Sequence, residues 1–161
     1  MKIVVLADTH IPTHAPGLPA GLFEPLQRAD GIIHAGDVTT AGVLDELAGY
    51  APVHAVIGNN DGSDVAMWGA SDELVIDLGG IRVGVVHNSG PRRGRERRLR
   101  RRFPDARAIV FGHSHIPMTY EDQGVLLMNP GSPTWKRREP RPTYAILEIA
   151  ASRPIATIVA I

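Results

Sequence analysis

The sequence predicts an α/β protein built on a partly parallel sheet. Short apolar runs recur along the chain, and helical patterns separate the first three of them. The unusual polar residues fall just past the ends of those runs. A strand of a parallel sheet is buried on both faces, so it reads as a continuous apolar run instead of an alternating one.

Lys2–Ala7 is the first such run. A Pro-rich loop with Pro12, Pro16 and Pro19 follows, and Leu18–Ala29 then reads as a helix. Gly31–Ala35 is the second strand. Thr40–Tyr50 places Val43, Leu44 and Leu47 at helical spacing, with Thr39 or Thr40 as the N-cap. Val53–Ile57 is the third strand, and the order β-α-β-α-β argues for the parallel sheet. Leu74–Leu78 and Ile81–Val86 flank Gly79-Gly80, a hairpin turn signal. Arg92–Phe103 reads as a helix whose buried face holds Leu99 and Phe103. Ala108–Phe111, Val125–Met128, Thr143–Ile149 and Ile155–Ile161 complete the strands. The last two are separated only by Ala150–Pro154 and are expected to pair.

Length and composition bound the function. A chain of 161 residues is read as a single domain, 1–161, large enough to hold a core without disulfides. Hydrophobic residues at 43% and charged residues at 21% exclude wholesale disorder. The absence of cysteine excludes a disulfide scaffold, a thiolate zinc site and a cysteine nucleophile. The longest apolar runs, Ile3–Ala7 and Ile155–Ile161, fall far short of the ~20 residues that span a bilayer. No membrane partner and a cytoplasmic location are the expectation. The net charge of zero hides a split, −8 over residues 1–91 and +8 over residues 92–161.

Five strand ends deliver polar groups. They are Asp8-Thr9-His10, Gly36-Asp37, Gly58-Asn59-Asn60-Asp61, His87 and Gly112-His113-Ser114-His115. Ligands of open α/β sheets bind at the carboxyl ends of the strands, so these groups can converge on one crevice. A mixture of Asp, Asn and His suits borderline divalent metals such as Mn, Fe, Co, Ni or Zn. Asp8 and His10, like His113 and His115, are two apart and point to one side of an extended chain. Seven ligands are too many for one ion with an open position and about right for two ions sharing a carboxylate. Paired ions ~3.5–4 Å apart are a standard arrangement for phosphoester hydrolysis.

In this order the motifs resemble the calcineurin-like metallophosphoesterase superfamily. The short chain and Asn129-Pro130-Gly131-Ser132 resemble its small bacterial and archaeal phosphodiesterases. The resemblance implies two facing β-sheets flanked by helices, a four-layer αββα sandwich. It implies Asp8, His10, Asp37 and His115 as ligands of a first metal. Asp37 would bridge to a second metal held also by Asn59, His87 and His113. The cofactors implied are two divalent transition-metal ions, manganese foremost, and the activity is hydrolysis of a small phosphoester by a metal-bridging hydroxide. Asp37, Asn59 and His87 are then expected at the reacting centre.

The pattern departs from the family twice. Asn60 stands where many relatives have a His that assists the leaving group. His87-Asn88-Ser89 replaces His-Gly-His. His14, in the loop after His10, is the remaining candidate for a catalytic acid, against the blander reading of a surface histidine. The alternative function is a non-catalytic protein-binding scaffold resembling the retromer subunit of the same fold. Retention of all seven ligands favours the enzyme.

The other notable residues have plainer readings. His34 and His54 lie inside strands and are expected in or near the core. Asp61 is expected to orient a neighbour, and Asn129–Ser132 to form a tight turn that shapes the pocket. Arg92–Arg102 holds eight Arg in eleven residues, read first as a solvated helix with a Glu96–Arg100 pair. It lacks interleaved aromatics to stack bases, so nucleic acid is not the expected partner. A further reading pairs it with the acidic first half of a second copy, making a homo-oligomer.

Overall fold

Alternation along each strand decides the layering. In the computed structural model, which describes residues 1–150 and 153–161, the first strands in chain order are β1 (Lys2–Leu6), β2 (Gly31–His34), β3 (Val53–Ala55), β4 (Glu73–Leu78) and β5 (Ile81–Val86). They are followed by β6 (Ala108–Phe111), β7 (Met118–Asp122), β8 (Val125–Asn129), β9 (Thr143–Ala150) and β10 (Arg153–Ala160). They form two five-stranded mixed sheets, ordered β10-β9-β1-β2-β3 and β4-β5-β6-β8-β7. Ile3, Val5, Ile33 and Leu147 of the first sheet meet Val83, Val85, Val110 and Met128 of the second in one core. The opposite face of β1, with Val4 and Leu6, packs under Leu22, Leu26, Leu44 and Leu47 from the helical segments. Ile109, Phe111 and Leu127 on the outer face of the second sheet pack under Leu99 and Phe103. The result is the helix–sheet–sheet–helix sandwich that the motifs implied. Each such buried aliphatic side chain contributes roughly 1.5–3 kcal/mol.

β1, β2 and β3 are parallel, as are β5, β6 and β8. The carboxyl ends of β1, β2, β3, β5 and β6 therefore release their loops toward one edge of the sandwich. Gly79 and Gly80, at φ +63° and +85°, make the expected turn between β4 and β5. β9 and β10 pair antiparallel as expected. Of their connection, Ala151 and Ser152 lie outside the described residues. Among the described residues no helix is long and apolar enough to cross a membrane.

The helices depart from the sequence reading. Over Leu18–Ala29 only a 3-10 turn (Ala20–Leu22) and α1 (Phe23–Gln27) form. Pro19 cannot extend the segment backward with a helical N–H bond, and Pro25 lacks the N–H to continue the ladder. α2 (Ala41–Ala48) begins after Thr40, but Thr40 makes no side-chain cap. Its Oγ1 turns instead to the Ile11 carbonyl, and the Asp64 carboxylate accepts the Ala41 N–H at 2.8 Å. Asp64 belongs to α3 (Ser63–Trp68), a six-residue helix that the periodicity missed. β7 was missed as well, because it is an edge strand of mostly exposed residues.

The Arg-rich segment is helical only as α4 (Arg95–Arg102), since Gly94 enters at φ +72°. Leu99 and Phe103 are buried as expected. The charges are more committed than a solvated helix requires. Arg95 sits 5.0 Å over the Phe111 ring, and Arg98 donates to the carbonyls of Arg93, Ser89 and Pro91. Arg100 pairs with Asp122 at 2.9 Å instead of with Glu96, and Arg102 pairs with Glu73.

Candidate metal centre

The loops at the carboxyl edge are locked to one another by backbone bonds. Asp8 N donates to Gly36 O, His10 N to Asp37 O, and Gly112 N to His87 O, all at 2.9–3.0 Å. The turns are tight enough to force five of the candidate ligands to positive φ: Asp8, His10, Asp37, His113 and His115, between +45° and +69°. That region costs a non-Gly residue of order 1–3 kcal/mol, and such strain clusters at functional sites. Gly58 permits the closest approach. A Cβ there would collide with the backbone N and Oδ1 of Asp37.

All seven expected ligands meet. Asp8, His10 and His115 offer ligand atoms within 4.8 Å of one another, as do Asp8, Asp37 and His87. Asp37 Oδ2 lies 3.5 Å from His10 Nε2 and 3.5 Å from His87 Nε2, between the two groups. On one side His115 Nε2 is 3.4 Å from Asp8 Oδ1 and 3.3 Å from His10 Nε2. On the other, Asn59 Oδ1 is 3.0 Å from His87 Nε2 and 2.8 Å from His113 Nδ1.

The proton positions make this a site of acceptors. His115 Nδ1 donates to the Trp135 carbonyl at 2.7 Å, and His87 Nδ1 donates to the Ala35 carbonyl at 2.8 Å. A carbonyl only accepts, so in the neutral rings both Nε2 atoms carry lone pairs into the centre. Burial, ahead of all other causes, lowers the pKa of His10 and His113, and lowers that of His115 to about 4. These rings are neutral and able to ligate at neutral pH. Burial followed by the Asp37 charge pushes Asp8 well above the usual carboxylate range. Burial also pushes Asp37 up, but hydrogen bonds from Asn60 and the neighbouring His87 and His10 outweigh it and hold Asp37 below its ordinary value. Asp8 Oδ2 is buried without any hydrogen-bond partner. Lone pairs facing lone pairs, with an orphaned carboxylate oxygen, fit divalent cations of the borderline class.

The supporting residues fall largely where they were expected. The Asp61 carboxylate accepts N–H groups from Asp37 at 3.0 Å, Thr39 at 2.7 Å and Gly58 at 2.7 Å. Asn60 donates its N–H and its Nδ2–H to the two oxygens of Asp37. The Asn129–Ser132 turn shapes the site from behind. Asn129 Nδ2 donates to the Gly112 carbonyl, and Ser132 Oγ donates to the Asp8 carbonyl at 2.7 Å. His54 is half-buried on β3 and takes no part.

His34 is fully buried behind the centre, 3.1 Å from Thr9 Oγ1. Burial, with His87 nearby, lowers its pKa to about 3. The unfolded chain takes up this proton below pH ~6.5, and the native state does not until about pH 3. Stability attached to His34 is thus present above pH ~6.5 and lost as pH falls, at about 1.4 kcal/mol per unit. Between pH 7 and pH 5, urea unfolding of His34→Gln should lose about 2 kcal/mol less than the parent. Equal losses would contradict the assignment.

His14 is exposed, as the blander reading expected, but it stands beside the centre. Its ring stacks on Trp135 at 3.7 Å and stands edge-on to His10 at 5.5 Å. Together with Thr13, Thr39, Asn59, Asn60 and Arg137 these residues line a cavity of about 470 Å³ that opens onto the centre. Sequence reasoning missed Trp135, Arg137 and Thr39. The only pointer to Trp135 was its place three residues after Ser132 of the Asn129–Ser132 motif.

Comparisons with known proteins give the family and the fold. A family model described as the calcineurin-like phosphoesterase superfamily domain matches residues 1–152. A probable metallophosphoesterase of Methanothermobacter thermautotrophicus is 34% identical over 163 residues, spanning 99% of this chain and 92% of that protein. Among solved structures, Vps29 of Entamoeba histolytica complexed with Zn²⁺ aligns with a TM-score of 0.77 and 23% identity, covering 99% of each chain. An archaeal phosphodiesterase aligns with a TM-score of 0.77 and 22% identity, over 99% of this chain and 100% of that one. At those identities the two structures speak for the fold, whereas the family match and the 34% relative settle the kinship. The chain belongs to the calcineurin-like phosphoesterase superfamily.

Proposed function

We propose that the protein is a metal-dependent phosphodiesterase with a binuclear centre. Asp8, His10, Asp37 and His115 would hold one ion, and Asp37, Asn59, His87 and His113 would hold the other. The observation that supports this most strongly is the place of Asp37 Oδ2, 3.5 Å from one histidine of each group. A pair of such ions supplies a nucleophilic hydroxide near neutral pH and positive charge against the phosphoryl oxygens.

The rest of the task falls to this chain's own residues. The Trp135 and Ala35 carbonyls fix the tautomers of His115 and His87, so both rings meet the centre ready to bind. Asn60 and Asp61 hold Asp37 and its loop in place. His14 lines the mouth beside the ligand His10, is not itself one of the seven ligands, and stacks on Trp135. Its role in this reading is to hand a proton to a departing alkoxide. Retention of all seven donors supports the hydrolase reading over the scaffold alternative.

Manganese-loaded protein is expected to hydrolyse bis(p-nitrophenyl) phosphate, and a series of aryl and alkyl diesters then reports on His14. General acid help is typically worth ~10²–10⁴-fold. With His14 as the acid, the parent shows a shallow dependence of rate on leaving-group pKa. His14→Ala becomes steep, losing ~10²-fold or more on alkyl esters and far less on activated aryl esters. A slope unchanged in His14→Ala would remove His14 from the chemistry.

A further inference from the structure

The cavity beside the centre is larger than the phosphoryl group that two ions would hold. At about 470 Å³ it has the size of a small-molecule site, and it lies on the side of the centre bounded by Trp135. The Trp135 ring is 5.3 Å from that of His10 and 5.1 Å from that of His115, so it separates the ligands from the outer wall. Arg137 forms that wall. Its guanidinium lies 4.7 Å from the Trp135 ring centroid, an arrangement that limits where the fork can point. The Arg137 backbone adopts φ +51°, and a turn in which Glu139 N donates to Lys136 O closes around it at 2.9 Å.

Arg137 is the one cationic residue lining this cavity, and among the described residues it makes neither an ion pair nor a hydrogen bond. This contrasts with Arg98, Arg100 and Arg102 of α4, each of which has an oxygen partner. No carboxylate lines this cavity, and the two beside the centre are already engaged. Asp37 is held by Asn60, and Asp61 by three backbone N–H groups. Thr39 also lines the cavity, and its Oγ1 is buried without a partner. The cavity thus carries an exposed guanidinium on the Trp135 ring, close enough for its charge to act on the ligands Asp8, His10, His113 and His115. A guanidinium binds planar oxyanions through two parallel N–H bonds.

Resting on the binuclear phosphodiesterase reading, we propose that Arg137 is a specificity-determining residue that binds a second anionic group of the substrate. The substrates it selects are phosphodiesters with one arm ending in a further phosphate or carboxylate. The scissile phosphoryl sits at the centre, that arm crosses the cavity, and its oxyanion meets Arg137 on Trp135.

Two measurements test this. The first needs no turnover. In a Trp68→Phe background Trp135 is the sole indole, and its fluorescence reports on Arg137 directly. Inorganic phosphate titrated into the metal-stripped protein is expected to change this signal saturably. Arg137→Gln weakens that binding by about 10-fold or more, as loss of a charge-assisted contact should. The second compares p-nitrophenyl alkyl diesters whose alkyl arm ends in a phosphomonoester or in a hydroxyl. The parent prefers the phosphorylated arm, and Arg137→Gln lowers the ratio of the two kcat/KM values by about 10-fold or more. Arg137→Lys keeps the charge without the fork and restores only part of the ratio. An identical fluorescence titration in Arg137→Gln, or an unchanged ratio, overturns the proposal. A protein that hydrolyses no diester while its Trp135 signal still depends on Arg137 refutes the hydrolase reading and leaves the anion site standing.

Discussion

Asp37→Ala is expected to release most of the bound metal and nearly all activity while leaving the fold intact. The residue sits at a strand end, outside the three apolar clusters that hold the sheets and helices together. Its carboxylate touches both halves of the centre through one oxygen. In the binuclear reading proposed above, removing it would take a ligand from each ion and the shared negative charge that screens one cation from the other. Loss of a group that merely orients a ligand costs ~10–100-fold in metal affinity or activity. Loss of a shared ligand should exceed that in both measurements. Near-normal turnover with two ions per chain in Asp37→Ala would show that the carboxylate does not bridge.

Asp61→Ala carries the second large effect, and it acts on stability as well as on metal. Three backbone N–H groups, those of Asp37, Thr39 and Gly58, converge on this one half-buried carboxylate. Leaving a donor without its partner costs about 1–3 kcal/mol, less where water can enter. A total loss of about 2–4 kcal/mol is expected in urea unfolding. The Asp37 loop would also relax, lowering metal affinity by ~10–100-fold. Asp61→Asn is a sharper probe. Its oxygen can accept some of these bonds, but its NH₂ group would face an N–H donor, so this isosteric change should still be destabilising. Parent-like stability in both variants would mean that water replaces the carboxylate at no cost.

The candidate ligands were legible in the sequence because each is a polar residue at a predictable place. Asp8 and His87 follow an apolar run directly, Asp37, Asn59 and His113 follow one after a single Gly, and the parallel sheet delivers such positions to one edge. Asp61 was legible as an orienting group, though not as the tie of the Asp37 loop, which depends on backbone from two separate segments. The cavity wall was hidden for a different reason. Trp135 and Arg137 sit in the connection between β8 and β9, where no periodicity constrains the chain, and they reach the centre only through the tertiary fold. The same holds for the cap of α2, supplied by Asp64 from the next helix and not by the local Thr40. β7 escaped because Met118–Asp122 is polar and lies at a sheet edge, although Gln123-Gly124 between it and β8 is a two-residue turn with both φ positive.

The binuclear reading is tested most directly by titrating metal-stripped protein with Mn²⁺ while following bis(p-nitrophenyl) phosphate hydrolysis. Activity is expected to rise until two equivalents per chain are bound and then to level off, because neither half of the Asp37-centred cluster is complete alone. A plateau at one equivalent, or no hydrolysis at any loading with a correctly folded protein, would contradict it.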